Sequence, residues 1–338
     1  MKPANSAFFF IALLLTVGLP AQPTGTWIPK KPLPTPRGFA TAAVIGDQIY
    51  VIGGVVNVWE CTPVMEVYDL ATDTWDTTKA SLPAPVCAAA SAVVGGKIYV
   101  IGGKSSYVGT GDFLNSVYVY DTKNERAGWI KLDDSLALPT PRAFHSACVV
   151  GDTAIYVIGG RHSSTFSLSV VEKFVPSPGG GKWTQAADLN DGRSNFACGV
   201  LPDGRMYVMA GYLQNCTVQA ATVEVFDPAG ADKWVVKETA PAASRSHPGF
   251  GVYDGSVYLF GGVSADALPV FSVFQYSPQT GFIPIETTLP EKMAAFTSGV
   301  AGHHFFTIGG VTDHFLTVDG PQVSASNWMI DLLPLRKK

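Results

Sequence analysis

The sequence predicts an all-β fold, a six-bladed β-propeller whose blades are four-stranded antiparallel sheets. Three observations carry this prediction: a repeated apolar strand that ends in a glycine doublet, a large aromatic residue that closes each repeat, and a composition suited to short strands. Charged residues make up 15% of the 338-residue chain, which contains 35 glycines and 24 prolines. Such a composition favours short strands joined by tight turns over long helices.

The glycine doublet is the clearest repeated feature of the chain. A strand of the type IYVIGG recurs six times, and five of the six doublets are intact. The doublets stand at Gly53-Gly54, Gly102-Gly103, Gly159-Gly160, Ala210-Gly211, Gly261-Gly262 and Gly309-Gly310. A spacing of about 50 residues is typical of propeller blades. Glycine at the end of the strand permits positive φ and close backbone packing near the axis.

Each repeat continues with an alternating strand and ends at a large aromatic residue, which we expect to fill the wedge between blades. These residues are Trp75, Trp129, Trp183, Trp234, Phe282 and, near the N-terminus, Trp27. Because Trp27 precedes the first doublet, the N-terminal segment 26–33 is predicted to pair beside the C-terminal strand 327–332. It would supply the outer strand of the last blade and close the ring without a bare edge.

The first 21 residues are predicted to be a signal peptide, and residues 22–338 the propeller. Lys2 is followed by an apolar run over residues 7–19 and by small or turn-forming residues up to Ala21. The run is shorter than the roughly 20 residues that span a bilayer. We therefore expect a secreted protein, extracellular or periplasmic, with no membrane span after signal removal.

The net charge of -4 and the isoelectric point near 5.8 provide no basic surface for a phosphate backbone. Nucleic-acid binding is therefore not expected.

Five cysteines leave at least one thiol unpaired if all disulfides are internal. Cys87, Cys148 and Cys198 fall near the starts of predicted inner strands, where we expect them to be apolar core residues. Cys61 and Cys216 lie in equivalent loops of the first and fourth repeats. A disulfide between these two would need long loops reaching across the ring.

Three features resemble the Kelch repeat over residues 26–333: the glycine doublet, the spaced tryptophan, and the aromatic–aspartate pairs Tyr68-Asp69, Tyr120-Asp121 and Phe226-Asp227. The resemblance, to the galactose oxidase and Kelch type of propeller, implies that two sets of loops share one face over the central channel. These are the leading loops, which run into each innermost strand, and the doublet loops, which follow each glycine doublet. Kelch propellers include adaptor modules, cell-surface proteins, copper oxidases and sugar epimerases, so the fold alone does not fix function.

The leading loops carry an arginine at one equivalent position in four repeats, Arg37, Arg142, Arg193 and Arg245, with Val86 and Met293 in the other two. Two interpretations stay open. In the first, each arginine ties its loop to backbone carbonyls of its own or the next blade; in the second, the four form a ring of guanidinium groups that recognises carboxylates. His145 and His247 follow shortly after Arg142 and Arg245.

The doublet loops are the more variable set, and recognition tends to lie on variable loops of a rigid scaffold. The candidate ligand-binding residues here are Trp59, Tyr107, His162 and Tyr212. Trp59 is not one of the six closing aromatics. It is either an exposed platform for a sugar ring or peptide side chain, or it packs under its own loop.

No catalytic, metal or cofactor site is predicted. The paired His303 and His304 fall in a tight turn on the face opposite the glycine ends, and no third ligand is apparent near them in the sequence. The motifs GxSxG, HExxH and the P-loop are absent from the sequence. A sialic-acid epimerase, or mutarotase, using His145 or His247 beside an arginine is the alternative that stays open.

The sequence thus favours a secreted, monomeric binding module that recognises a protein or glycan on the loop face over the channel, with an acidic ligand as one option. A carbohydrate-active enzyme using the same face is the alternative. Asn215 begins an N-glycosylation sequon with Cys216 and Thr217, which matters only in a eukaryotic host.

Overall fold

A computed structural model describes residues 25–56, 59–108, 112–163, 166–213, 218–312 and 322–335. These residues form six separate four-stranded antiparallel sheets. The predicted six-bladed propeller with four-stranded blades is therefore confirmed. Within these ranges no helix has the length and apolar character needed to cross a bilayer. The predicted signal peptide lies outside the described residues.

In each blade the four strands lie side by side, at increasing distance from the axis. The innermost strands are β2 (Thr41–Ile45), β6 (Ala90–Val94), β10 (Ser146–Val150), β14 (Ala197–Val200), β18 (Gly249–Tyr253) and β22 (Thr297–Ala301). The second strands are β3 (Gln48–Ile52), β7 (Lys97–Ile101), β11 (Ala154–Ile158), β15 (Met206–Met209), β19 (Ser256–Phe260) and β23 (His304–Ile308). The third strands are β4 (Met65–Asp69), β8 (Val117–Asp121), β12 (Val171–Ser177), β16 (Thr222–Phe226), β20 (Ser272–Ser277) and β24 (Asn327–Asp331). The outermost strands are β1 (Trp27–Pro29), β5 (Thr74–Asp76), β9 (Trp129–Lys131), β13 (Gly180–Gln185), β17 (Trp234–Thr239) and β21 (Gly281–Thr288).

Blades 1 to 5 are consecutive in the chain, β2–β5, β6–β9, β10–β13, β14–β17 and β18–β21, whereas blade 6 combines β22–β24 with β1. Strand β1 pairs antiparallel with β24, so that Trp27 lies opposite Ile330. The pairing continues past the strand, because the Lys30 N–H donates to the carbonyl of Asn327 at 2.8 Å. The outer strand of the last blade thus comes from the N-terminal segment.

The second strand of each blade is mostly apolar because neighbouring blades cover both of its faces. All five residues of β11 and all five of β19 are buried. The innermost strands combine buried and half-buried residues instead, since they border the central channel.

The closing tryptophans fill the wedges between blades and also tether them. Trp129 packs against Tyr120 of its own blade at a ring separation of 5.2 Å, and only 9% of it is exposed. Its indole N–H donates to the carbonyl of Ala80 in the preceding blade at 2.9 Å. Three further indoles make the same bond at 2.9 Å: Trp75 to Lys31, Trp183 to Leu136 and Trp234 to Ala187.

The first glycine of the doublet is required by a close backbone approach between blades. Gly53 has φ +62°, and a Cβ there would lie 2.3 Å from the backbone oxygen of Val86 in the next blade. The imperfect fourth doublet keeps this conformation, since Ala210 has φ +63°. A methyl group is thus tolerated there at some conformational cost.

Cys87, Cys148 and Cys198 are buried in the core as predicted, but they are not free thiols. Two disulfides join adjacent blades, Cys61 to Cys87 and Cys148 to Cys198. Cys148 and Cys198 lie on β10 and β14, one repeat of 50 residues apart, and equivalent strands of neighbouring blades bring their Cα atoms within 6.7 Å. Cys61 therefore does not pair with Cys216, which lies outside the described residues.

Candidate functional site

The leading loops and doublet loops share one face of the propeller, here called the upper face. In every blade a residue of the leading loop forms an isolated β-bridge with the residue directly after the doublet. These bridges are Gly38–Val55, Cys87–Lys104, Ala143–Arg161, Ser194–Tyr212, Ser246–Val263 and Ala294–Val311. The two loop sets are therefore fixed to each other by the backbone.

Six equivalent residues, here called the axial ring, surround the mouth of the channel. They are Phe39, Ala88, Phe144, Asn195, His247 and Ala295. All six have positive φ, between 50° and 57°. Five of the six consecutive pairs are joined by backbone hydrogen bonds, for example from the Ala88 N–H to the Phe39 carbonyl at 2.9 Å. Left-handed conformations of non-glycine residues cost of order 1–3 kcal/mol each and tend to cluster at functional sites.

The axial ring opens into a cavity of about 290 Å³. Below the ring, the cavity is lined by the innermost strands, which contribute small side chains such as Thr41, Ser91 and Ser298. This space is at the lower end of the range typical of small-molecule pockets.

Aromatic side chains cluster on one side of the mouth. Tyr107 lies 4.6 Å from the ring of Phe39 and 6.0 Å from that of Phe144. Trp59 stacks on Tyr107 at 4.7 Å with an interplanar angle of 15°. His247 completes the cluster, 5.7 Å from Phe39.

The residues that directly follow the doublets form a second ring, here called the post-doublet ring, and this ring is chemically divided. Blades 2, 3 and 4 contribute Lys104, Arg161 and Tyr212, whereas blades 5, 6 and 1 contribute Val263, Val311 and Val55. The polar side chains of this ring are therefore confined to three consecutive blades. Lys104 and Arg161 are the only charged side chains expected at neutral pH in the two rings.

Arg161 is held over an aromatic face with part of its hydrogen-bonding capacity unused. Its guanidinium carbon lies 4.2 Å from the ring centre of Phe144, a cation–π contact. Its buried Nε has no partner among the described residues. The Lys104 ammonium donates to the Tyr107 carbonyl at 3.1 Å. Burial, together with the Arg161 charge, lowers the pKa of Lys104.

His145 is buried and His247 is half-buried, and both imidazoles are neutral at neutral pH. Burial is the main cause that lowers the pKa of His145 to about 3, with a further contribution from the Arg142 charge. Burial and the Arg161 charge lower the pKa of His247 to about 3 as well. His247 lies in the axial ring beside Tyr212, at a ring separation of 5.8 Å. His145 lies one residue beyond the ring and is 7% exposed.

The four predicted arginines do not face the channel. Arg37, Arg142, Arg193 and Arg245 are all at most 2% exposed. Arg142 pairs with Glu172 at 2.6 Å and donates to the carbonyls of Gly159 and Val170. Arg37 pairs with Glu66 at 2.5 Å, and Arg193 pairs with Glu224.

Among the described residues, no carboxylate group bonds to Arg245. It donates to the carbonyls of Gly261 and Ser272 and lies 4.8 Å from the ring centre of Phe274. All four guanidinium groups thus tie the leading loop to their own blade. Of the two interpretations, the structure supports the one in which each arginine ties its loop to carbonyls of its own blade, and it corrects the expectation of an arginine ring for acidic ligands, because the four guanidinium groups are buried away from the channel.

Sequence reasoning did not identify the glutamates that pair with these arginines, although their positions recur in the repeats. Glu66, Glu172 and Glu224 hold the same position on the third strands of blades 1, 3 and 4. In blades 2 and 6, which lack the arginine, aromatic Tyr118 and Trp328 replace the glutamate. A comparison of the two positions across the repeats would have identified the buried pairs.

The remaining predicted residues are dispersed over the upper face. Trp59 is half-buried and packs against a neighbouring loop, through Tyr107. His162 is exposed next to Arg161. Tyr212 is half-buried at the polar side of the mouth. Asn215 lies outside the described residues.

One possible metal-ligand group lies on the opposite face, where the sequence indicated none. Among the described residues, ligand atoms of His303, His304 and Asp331 all lie within 4.8 Å of one another. Asp331 is distant in the sequence, but the pairing of β23 with β24 places it directly opposite His304.

Comparison with known proteins identifies Kelch repeats in the chain. Residues 22–160 match the KLHDC2/KLHL20/DRC7 Kelch-repeats domain, and residues 141–190 match the Kelch motif. The chain is 28% identical over 331 residues to Kelch-like protein terF of Aspergillus terreus, covering 89% of this chain and 58% of that protein. It is 29% identical over 198 residues to spermatocyte protein spe-26 of Caenorhabditis elegans, covering 57% of this chain and 32% of that protein.

A lyase is also among the relatives. The N-(sulfonatooxy)prop-2-enimidothioate sulfolyase of Thlaspi arvense is 28% identical over 258 residues, covering 68% of this chain and 71% of the enzyme. Among solved structures, that of YjhT superposes with a TM-score of 0.72 over 88% of this chain and 95% of YjhT. Its sequence identity of 18% shows a shared fold alone.

Proposed function

We propose that this chain, a propeller built from Kelch repeats, is a binding module that recognises an acidic segment of a protein or glycan on its upper face. The observation that carries the proposal is the half-ring of Lys104, Arg161 and Tyr212 beside the aromatic cluster at the channel mouth. Kelch propellers typically serve as protein-interaction modules, and this face combines rigid backbone with variable loops.

The chemistry of the mouth favours a carboxylate. A cation that is partly desolvated and incompletely hydrogen-bonded gains more from an incoming anion than a solvated surface cation does. Arg161 meets this description, because it lies over Phe144 with an unpaired Nε. The cavity of about 290 Å³ is lined by Phe144 and by small and hydroxyl side chains and suits one neutral side chain or sugar unit, while the acidic group of the ligand would lie at the rim beside Arg161.

The test is a peptide and glycan array followed by calorimetry on the tightest ligand. Arg161→Ala should weaken binding at least about tenfold, since hydrogen bonds to charged groups contribute roughly 1.5–3 kcal/mol. Lys104→Ala should weaken it less, because Lys104 already bonds to Tyr107. The matched control is Arg205→Ala, which removes an exposed arginine next to the β14–β15 turn on the opposite face. Equal affinities for the wild type, Arg161→Ala and Lys104→Ala would refute this surface.

A sugar-acid epimerase is the second candidate, and the named lyase among the relatives keeps it open. The candidate acid–base groups, however, do not suit proton transfer near neutral pH. His145 and His247 both have a pKa of about 3, whereas an effective general base has a pKa near the working pH. Incubation with sialic acid anomers, followed by NMR, would reveal accelerated mutarotation if the enzymatic function were correct.

We also propose that the chain is exported and monomeric. Two disulfides support an oxidising compartment. Ring closure by β1 leaves blade 6 with a full set of four strands, which supports a protein that needs no partner to complete its sheets. N-terminal sequencing of the protein from its natural source should begin at Gln22, and light scattering should give the mass of one chain. An N-terminus at Met1 would contradict export by a cleaved signal.

A further inference from the structure

On the face opposite the upper face, blade 6 brings three side chains of metal-binding types close together. His303 lies in the turn between β22 and β23, and His304 begins β23. Successive residues of a strand normally point to opposite faces of the sheet. Because His303 is still in the turn, its ring instead lies 4.0 Å from that of His304.

Asp331 approaches the two histidines from the neighbouring strand. It is paired with His304 in the β23–β24 register, and the Nε2 atom of His303 lies 3.9 Å from its Oδ1 atom. The backbone around the group is fixed, since the Leu332 N–H donates to the His303 carbonyl at 2.9 Å. Asp331 Oδ1 also accepts from the Leu333 N–H at 2.9 Å, which orients the carboxylate.

From this arrangement we propose that His303, His304 and Asp331 bind a divalent transition-metal ion of the zinc or copper class. Two imidazole nitrogens and one carboxylate oxygen suit these borderline ions, whereas magnesium and calcium prefer oxygen ligands. Ligand atoms within 4.8 Å of one another can converge on a single ion with small side-chain rotations. Three protein ligands leave further coordination positions open.

The surroundings supply one additional donor and one opposing charge. Asp47, from the β2–β3 turn of blade 1, lines the same depression as His303 and His304. Lys30 also lines it, and its ammonium is 3.9 Å from Asp73. The lysine disfavours a cation, so we expect a moderate affinity rather than that of a fully enclosed structural site.

Binding would connect the β22–β23 turn to the end of β24, the strand that holds β1. The metal should therefore stabilise the blade that closes the ring, because a ligand specific for the native state raises its stability by mass action. This inference concerns the face opposite the proposed ligand surface and is independent of the proposed function.

The experiment uses the full chain prepared without a histidine tag. Titration of the metal-free protein with Zn²⁺ should show one site per chain and a rise in the thermal unfolding midpoint. His303→Gln and Asp331→Asn should each weaken binding at least about tenfold, a loss typical of altered metal sites. Asparagine keeps an oxygen that can accept the Leu333 bond, and both replaced side chains are about 40% exposed, so folding should be retained. The control is His162→Ala, which removes an exposed histidine of the upper face.

Electron paramagnetic resonance of the Cu²⁺ form gives a second measurement. The superhyperfine pattern should report two nitrogen ligands in the wild type and one in His303→Gln. Unchanged Zn²⁺ affinity in His303→Gln and Asp331→Asn, or a loss in His162→Ala, would overturn the assignment. Zn²⁺ binding weaker than millimolar in the wild type would also overturn it.

Discussion

Blades 2 and 3 are neighbours that place different chemistry at one position. Blade 3 buries Arg142 against Glu172, with side-chain exposures of 0% and 7%. Blade 2 has Val86 and Tyr118 at the equivalent positions, and both belong to one apolar cluster. The fold therefore requires this space to be filled, by an ion pair or by an apolar pair. A recurring arginine in such repeats marks a packing position and not necessarily a ligand site.

Blade 5 is intermediate between the two kinds of blade. Arg245 is present, but Phe274 replaces the glutamate, and burial lowers the pKa of Arg245 to about 10. Three carbonyls and the aromatic face of Phe274 stabilise the charge instead. The backbone carbonyls that meet the guanidinium are thus the constant part of the arrangement, and the carboxylate is the variable part.

The largest expected effect comes from removing one partner of the blade 3 pair. Glu172→Ala leaves Arg142 buried without its carboxylate, which should lower the free energy of unfolding by about 3–5 kcal/mol. Urea denaturation followed by tryptophan fluorescence would measure this loss. A change below about 1 kcal/mol would show that the carbonyls satisfy Arg142 without a carboxylate partner.

A second difference between the blades should appear as pH dependence. Blade 3 has His145 where blade 2 has Ala89, and burial together with Arg142 lowers the pKa of His145 to about 3. Since the unfolded state takes up the proton first, stability is full above about pH 6.5 and falls as the pH drops toward 3. Between pH 6.5 and pH 4.5, the free energy of unfolding of His145→Ala should therefore fall by about 2–3 kcal/mol less than that of the wild type. Parallel stability curves for the two proteins would contradict the buried neutral histidine.

Converting blade 3 to the chemistry of blade 2 should restore much of the lost stability. We expect the double variant Arg142→Val with Glu172→Tyr to be at least about 2 kcal/mol more stable than Glu172→Ala, because apolar pairs often replace buried ion pairs at little cost. A double-mutant cycle with the single variants would isolate the coupling. A double variant less stable than Glu172→Ala would show that the carbonyls of Gly159 and Val170 need the guanidinium.

The smallest effect is expected for an ion pair on the surface. Lys131 and Asp134 pair at 2.8 Å with side-chain exposures of 49% and 87%. Asp134→Ala should change the free energy of unfolding by less than about 1 kcal/mol, since exposed pairs are screened by solvent. The same urea titration serves as the measurement. A loss of stability comparable to that of Glu172→Ala would show that burial does not determine how much an ion pair contributes to stability.

The number of blades could be predicted from the sequence because the doublet is a local signal with one geometric cause. Gly53 needs positive φ and close contact with Val86, so the residue type is visible at a fixed place in each repeat. The partner of Arg142 lies 30 residues away on another strand, and nothing local indicates that pairing. Asp331 near His304 and Cys198 near Cys148 are likewise products of strand and blade register. The residue types that divide the post-doublet ring are visible in the sequence. The contact of Arg161 with Phe144, which makes this ring a candidate site, could not be predicted from the sequence.

The pairing of β1 with β24 brings the two described ends of the chain together. A Cβ on Gly25 would lie only 3.4 Å from the Leu335 Cδ2 atom, so a short peptide could join residues 25 and 335 on the rim of blade 6. New termini opened in the connection between blades 3 and 4 would then yield a circular permutant with the same ring. In that permutant blade 6 would be formed from continuous sequence, and its outer strand could no longer detach as a free end.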